Sequence, residues 1–175
     1  IRPFTDSFPP LDGFVAALAP DGALRWNTFL GGDGADNSAG IGLYTGSVGI
    51  PRLYVTGNSS APWGYETEYP NTSRVYIAFL RLDGELVYNR FVKFPEGYDD
   101  YSEVAVNVND LDVDAAGHPI VVGEIWFRDK VDINTVYCDG YLARTDSTLA
   151  LEWSLTFTGT VQGPIEEVLV LPSGD

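Results

Sequence analysis

The sequence has almost no cysteine, histidine or methionine, the side chains on which thiol, redox and transition-metal chemistry depend. Among 175 residues there is one cysteine, Cys138, one histidine, His118, and no methionine. A single cysteine excludes a disulfide within the chain, and with it a small disulfide-stapled scaffold. The sequence contains no Gly-x-Ser-x-Gly motif, zinc-ligand spacing or phosphate-binding loop. We expect His118 to be a hairpin-turn residue and Cys138 to be a buried or incidental thiol.

Basic residues are also scarce. The chain has 10 lysines and arginines against 25 aspartates and glutamates, for a formal net charge of −15. Such a field repels nucleic acid and anionic membrane surfaces, and it suits a protein in an external medium or one that binds cations. No apolar run reaches the roughly 18 residues of a membrane span. The sequence therefore predicts no nucleic-acid partner and no membrane span.

What the chain does contain is a recurring pattern. Residues 12–26 return without a gap as residues 139–153, and a shorter copy at 75–88 lies between them. The spacing from Phe14 to Tyr76 is nearly the same as that from Tyr76 to Tyr141, and a fixed period indicates one supersecondary unit used several times. The corresponding positions are Phe14 with Tyr76 and Tyr141, Val15 with Ile77 and Leu142, Ala16 with Ala78 and Ala143, Leu24 with Leu86 and Leu151, and Trp26 with Tyr88 and Trp153.

Each period reads as four short strands. An apolar run leads through a turn, Asp21-Gly22 in the first copy and Asp83-Gly84 in the second, into a run with alternating apolar residues. A second hairpin follows, and no segment sustains helical periodicity. Four antiparallel strands repeated at this length predict a propeller blade. A β-sandwich is the alternative, although a sandwich does not require a repeating sequence.

The first unit resembles the bacterial β-propeller repeats called SBBP repeats. The resemblance is carried by Asp12-Gly-Phe-Val-Ala-Ala-Leu-Ala-Pro-Asp-Gly-Ala-Leu-Arg-Trp-Asn-Thr-Phe-Leu-Gly-Gly-Asp-Gly and by Leu-Tyr-Val-Thr-Gly57. It is looser in the second unit and good in the third as far as Gly159. It implies a propeller scaffold in an exported or surface-associated protein, and it carries no catalytic signature.

By analogy with related propellers, the chain is one partial propeller of all-β class. Residues 12–30 form an outer half-blade, 39–92 and 105–157 are two complete blades, and 165–175 is the first strand of another. Propellers close with four to eight blades. We therefore expect further blades of the same polypeptide, or associating copies, to close the ring.

The long connections of such a meander gather on one side of the blades, at residues 31–38, 58–73, 93–104 and 126–138. Long loops on a rigid scaffold often carry binding sites. Exposed aromatic side chains suit contacts with sugars or proteins, unless they fold back over the blade edges. The candidate binding residues are Trp63, Tyr65, Tyr69, Trp126, Phe127 and Arg128.

Carboxylates in the same connections are candidate ligands for calcium, the one cofactor that the sequence suggests. Oxygen ligands at short spacing suit Ca²⁺, although solvated turn carboxylates are the simpler interpretation. A third acidic segment, from Asp110 to Asp114, alternates with apolar residues and is expected to line an axial channel. The candidate calcium ligands are Asp33, Asp36, Asp99, Asp100 and Glu103.

Three functional hypotheses follow. The first is a non-enzymatic extracellular or cell-surface scaffold or binding protein, with protein or carbohydrate partners and a place in a larger surface or filament assembly. The second is a propeller hydrolase that cleaves glycans or lactones with axial carboxylates such as Asp110 and Asp112. The third is a calcium-stabilised adhesin.

Overall fold

The computed structural model of the chain describes residues 11–46, 50–65, 74–92, 98, 101, 103–132, 134–158 and 163–171. None of these residues lies in a helix, so the described part of the chain contains no helix that could span a membrane. The ten strands are β1 (Gly13–Leu18), β2 (Leu24–Leu30), β3 (Gly40–Tyr44), β4 (Arg52–Asn58), β5 (Val75–Leu80), β6 (Leu86–Phe91), β7 (Glu103–Val113), β8 (Pro119–Arg128), β9 (Val136–Thr145) and β10 (Leu151–Phe157).

The strands form three separate antiparallel sheets. Strands β1 and β2 make a two-stranded hairpin, called the hairpin below. Strands β3 to β6 follow one another in sheet I, and β7 to β10 do the same in sheet II. Within each sheet, strands that are consecutive in the sequence are paired neighbours. This confirms the predicted all-β class and the predicted four-stranded antiparallel meanders.

One turn geometry closes the hairpins after β1, β5 and β9. In each turn, the first residue donates its N–H to the carbonyl of the fifth residue, and the fourth residue donates its N–H to the carbonyl of the first. The fourth position needs positive φ, which Gly22 and Gly84 adopt at 85° and 87°. The third turn places Leu149 there, at φ 62°. The Ser147-Thr148 sequence is a weak turn signal, yet the turn forms.

Apolar side chains cover both faces of sheet I. One core lies between the hairpin and sheet I, where Val15 and Leu30 pack with Tyr76 and Phe91. The second core lies between sheets I and II and is larger, as expected for two four-stranded layers. Five of the six residues of β5 are buried, which explains its continuous apolar sequence. The members of the second core include Tyr54, Ile77, Val92, Val108, Leu111, Ile125 and Tyr141.

The first strands of the two large sheets come into backbone contact. A Cβ added to Gly40 would collide with the backbone nitrogen of Leu111, and one added to Gly42 would lie 2.5 Å from the Leu111 side chain. Strand β3 can therefore approach β7 only because these positions lack side chains.

Residues 163–171 run beside sheet II without joining its hydrogen-bond ladder. The Ile165 N–H donates to the Gly123 carbonyl at 3.2 Å, and the Asn109 side chain donates to the Ile165 carbonyl at 3.1 Å. The strand predicted over 165–175 is not formed in the described residues 163–171. Carboxylate side chains of β7 accept the Val168 and Val170 N–H groups, so these groups do not pair with the backbone of a neighbouring strand.

Candidate functional site on the long-connection side

Alternate connections of each meander lie on the same edge of the sheets, because the strands are antiparallel. The turns after β1, β5 and β7 are short. The connections after the even-numbered strands are longer, and these occupy the opposite edge. A cleft of ≈ 610 Å³ opens on this edge, where the end of sheet I meets the start of β7. Residues 35–37, 58–60 and 104–107 line it, together with Leu11 and Arg74.

Asp36 anchors the connection between β2 and β3 at the floor of this cleft. It is buried, its Oδ2 accepts the Gly32 N–H at 2.9 Å, and its backbone makes an isolated antiparallel bridge with Ser59. Burial raises the pKa of the Asp36 carboxyl above its usual value, and the hydrogen bonds from Ser59 and Gly32 oppose that shift. The carboxyl thus holds the backbone of its own loop.

The candidate calcium ligands are not brought together in the described part of the chain. Asp33 is exposed, Asp36 is buried, and Glu103 pairs with Arg128. Asp99 and Asp100 lie outside the described residues. Among the residues that the structure describes, no group of three or more acidic, histidine or cysteine side chains is placed to hold a metal ion. Calcium binding therefore stays a prediction from the sequence.

Trp63 is not an exposed loop aromatic but folds back, which is the alternative that the sequence left open. Its ring is buried edge-on against Tyr76, with centroids 4.9 Å apart. Asn89 of β6, which no sequence signal singles out, holds the loop: its amide nitrogen donates to the Trp63 carbonyl and its Oδ1 accepts the Tyr65 N–H, both at 2.9 Å. The Tyr65 side chain is exposed, and Tyr69 lies outside the described residues.

The second aromatic group also differs from the prediction, since residues 126–128 belong to strand β8 rather than to a loop. Trp126 is partly exposed, whereas Phe127 on the opposite face is buried. The Arg128 Nε lies 3.0 Å from Glu103 Oε2 of the paired strand β7, which makes an exposed ion pair. The sequence pattern misses this part of the strand because a polar connection follows directly.

Phe127 lies in a cluster of aromatic rings that the sequence pattern does not reveal. The rings of Tyr98, Tyr101 and Tyr137 lie 5.0, 4.4 and 5.3 Å from it, measured between centroids. The Tyr98 hydroxyl donates to Asp139 Oδ2 at 3.1 Å, and burial together with that carboxylate raises the pKa of the Tyr98 hydroxyl. These rings pack against one another at the long-connection edge of sheet II and do not form an exposed aromatic surface.

The carboxylates expected to line an axial channel bind the segment at 163–171 instead. Asp110 Oδ2 accepts the Val168 N–H at 3.1 Å, and Asp112 Oδ2 accepts the Val170 N–H at 2.7 Å. The two bonds have the two-residue spacing of the alternating strand on which the carboxylates stand. In this arrangement both carboxylates satisfy backbone donors.

Asp114 is the centre of a charged network at the β7–β8 turn. Its Oδ1 accepts the N–H groups of Ala116 and His118, and its Oδ2 accepts two hydrogen bonds from Arg144, at 2.9 and 2.6 Å. Burial by itself would raise the pKa of Asp114, but these donors outweigh it and lower the pKa. His118 Nδ1 lies 3.6 Å from Glu152, which also pairs with Arg144. His118 thus occupies a turn, as predicted.

Cys138 is buried, and its Sγ lies 3.7 Å from the Glu124 carboxylate. Burial and this carboxylate raise the pKa of the Cys138 thiol to about 11. A thiol of that kind is a poor nucleophile at neutral pH.

Comparison with known proteins assigns no family to this chain. No protein-family model matches the sequence, and a search of curated proteins gives no significant match. The resemblance to SBBP repeats therefore stays a prediction from the sequence.

Proposed function

We propose that this chain is a non-enzymatic scaffold or binding protein built from β-propeller repeats of the SBBP type, displayed outside the cell or on its surface. The single observation that carries the proposal is a hydrogen bond that recurs between successive sheets. Trp26 Nε1 donates to the Leu82 carbonyl at 2.8 Å, and the Tyr88 hydroxyl donates to the Ser147 carbonyl at 2.7 Å.

These two bonds join equivalent positions. Tyr88 follows Trp26 by the same spacing that separates Phe14 from Tyr76, and Ser147 follows Leu82 by the spacing that separates Tyr76 from Tyr141. The hairpin therefore stands to sheet I much as sheet I stands to sheet II. One geometric relation is applied twice, and the first strands of sheets I and II are in close contact. Both observations support the fanned arrangement of propeller blades in preference to a two-layer sandwich around one core.

The carboxylates on which the hydrolase hypothesis depends have hydrogen-bond partners that favour a structural role. Glycosidases need two carboxyl groups that face the substrate. Asp110 and Asp112 instead accept backbone N–H groups, and Asp114 is bound by Arg144 and the backbone of its own turn. The remaining long-connection surface, with its cleft and exposed Tyr65, suits the contacts of a binding protein.

A substrate panel tests the proposal. The purified chain is incubated with a set of α- and β-linked polysaccharides and with aliphatic lactones, and reducing ends and released acid are measured over a day. We expect no turnover above buffer. Hydrolysis by the native chain that disappears in the Asp110→Asn, Asp112→Asn double variant, with the fold intact by circular dichroism, would replace the scaffold proposal with the hydrolase.

A further inference from the structure

The series of hydrogen bonds between sheets has a third donor. Trp153 of β10 lies one repeat after Tyr88 and so occupies the position of Trp26 and Tyr88. Its side chain is 40% exposed, and no described residue accepts a hydrogen bond from its indole nitrogen. The first two donors each reach the hairpin turn of the next sheet, at Leu82 and Ser147. The Trp153 indole therefore occupies the position of an inter-sheet donor, and the described part of the chain supplies no carbonyl to accept its hydrogen bond.

The outward face of sheet II, called the rear face, is apolar and open along β10. Phe157 is 53% exposed, whereas the equivalent residues Leu30 and Val92 are 0% and 2% exposed because a sheet covers each of them. Leu155, two residues before Phe157 on the same side of β10, is also exposed. The side chains at the rear face thus have the apolar character of an inter-sheet core without the covering sheet.

The outward face of the hairpin, called the front face, is also uncovered. It is the side of the repeat unit opposite to the rear face. Phe14 and Leu18 are each 61% exposed, whereas their equivalents in sheet I, Tyr76 and Leu80, are completely buried under the hairpin. Phe29, paired with Phe14 across the hairpin, is exposed as well. The front face has the residues that receive a preceding sheet.

We infer that the rear face of one copy binds the front face of a second copy, so that chains assemble head to tail through the same contact that joins the sheets within each chain. In this contact the Trp153 indole donates to the carbonyl of Pro20 in the hairpin turn of the second copy. Pro20 lies one repeat before Leu82, which makes its carbonyl the equivalent acceptor. The inference rests on the proposed scaffold function and names its partner.

A second copy suits the rear face for two reasons. The contact continues an interface that the chain already forms twice, between the hairpin and sheet I and between sheets I and II. Residues 163–171 cover the β7 and β8 side of the rear face, where Val168 and Val170 are bound by Asp110 and Asp112, and Ile165 reaches Gly140 of β9. The β10 side stays open, with Leu155 and Phe157 exposed. In sheet I the corresponding side is bonded through Tyr88 to the β9–β10 hairpin, and the hairpin of a second copy is the repeat equivalent of β9 and β10.

The contact joins two different surfaces, so it leaves a free front face at one end and a free rear face at the other. Such contacts produce rings or open filaments rather than closed dimers. The net charge of −15 opposes association of two copies, and salt screens that repulsion. Association that strengthens from 0.05 to 0.5 M NaCl is therefore expected of an apolar contact between acidic copies.

One variant at each face gives a sharp test. Phe157→Asp disables the rear face, Phe14→Asp disables the front face, and both positions are exposed, so folding should be kept and is checked by circular dichroism. Sedimentation equilibrium in 0.5 M NaCl should show concentration-dependent oligomers for the native chain and monomers for each variant alone. An equimolar mixture of the two variants should form 1:1 dimers, because each supplies the face that the other lacks.

Val131→Asp is the matched control, since Val131 is almost fully exposed and lies on the β8–β9 connection rather than on a strand of either face. It should associate like the native chain. Trp153→Phe removes the indole donor and should weaken association about tenfold. A native chain that stays monomeric at several hundred micromolar, or a variant mixture that stays monomeric while the native chain associates, overturns the inference. Either result leaves the scaffold proposal to the substrate panel, whose outcome does not depend on self-association.

Discussion

Among single residues, Leu149 holds a backbone conformation that its side chain disfavours. Its φ of 62° lies in the region that Gly22 and Gly84 occupy in the other two turns. For a residue with a side chain this conformation costs about 1–2 kcal/mol. The Leu149 side chain is nonetheless buried in the core between sheets I and II, which offsets that cost.

Leu149→Gly is therefore expected to destabilise the protein although it relieves the backbone. Truncation of a buried leucine costs about 2–5 kcal/mol, which exceeds the relief, so the net loss should be about 1–3 kcal/mol. Urea unfolding followed by tryptophan fluorescence measures it. Gly84→Ala is the companion variant: its Cβ would lie 2.5 Å from the Trp26 ring at φ 87°, so it should also lose stability. A Leu149→Gly variant more stable than the native chain would contradict the packing described.

Asp114 makes stability depend on pH in a defined direction. Its pKa in the folded chain lies below the usual 3.8, so the carboxylate stabilises the fold above that value and the contribution is lost as pH falls through the folded pKa. Asp114→Asn should cost about 2 kcal/mol at pH 7, since charge-assisted hydrogen bonds to Arg144 are weakened. The difference between the variant and the native chain should shrink below about pH 4.

Urea midpoints of both proteins at pH 7, 5 and 2.5 test this expectation. Asp21→Asn is the control: it lies at an exposed hairpin turn, and among the described residues its carboxylate accepts the Ala23 N–H alone, so it should change stability little at any of these pH values. A difference for Asp114→Asn that is the same at pH 7 and pH 2.5 would show that the ionised carboxylate is not the source of the stabilisation.

At the level of strands and sheets, the stability contributed by the inter-sheet hydrogen bonds can be measured separately from that of the apolar cores. Tyr88→Phe removes one hydroxyl and leaves the ring, so the loss reports the bond to the Ser147 carbonyl alone. We expect about 1 kcal/mol, the usual net worth of a partly buried hydrogen bond. The free energy of unfolding from urea titration measures it.

The same titration on Tyr44→Phe gives a control, because no hydrogen bond of the Tyr44 hydroxyl is seen among the described residues and the ring likewise packs against the core between the sheets. Tyr88→Phe should lose more stability than Tyr44→Phe. Equal losses would mean that the bond between β6 and the β9–β10 turn contributes nothing, and that the recurring bonds between sheets do not hold those sheets together.

At the scale of the whole molecule, the net negative charge disfavours the compact folded state. With 25 acidic and 10 basic residues, the native fold concentrates repulsion that the unfolded chain relieves. The melting temperature should therefore rise by a few degrees between 10 mM and 150 mM NaCl, where screening changes most. The measurement belongs at low micromolar concentration with the Phe157→Asp variant, so that association does not contribute. A melting temperature that falls with salt would contradict it.

The elements could be predicted well from the sequence where the signal is local. Alternation and Asp-Gly turns located the strands, and the repeat spacing predicted which residues would be equivalent, including Trp26 and Tyr88. The candidate site was predicted less well. Trp63 and Phe127 are aromatic residues near polar connections, and nothing in their local sequence says whether they turn outward or inward. Asn89, which holds the Trp63 loop, gives no signal because its partners are distant in the chain.

The all-β class, the four-stranded meanders and the period that relates them were already fixed along the chain, because they depend on alternation, turn chemistry and recurrence. Which faces are covered became clear only from the packed sheets. Leu30, Val92 and Phe157 are equivalent apolar residues in the sequence, yet only the first two are buried. Burial depends on which sheet lies opposite, and no residue carries that information in its own neighbourhood.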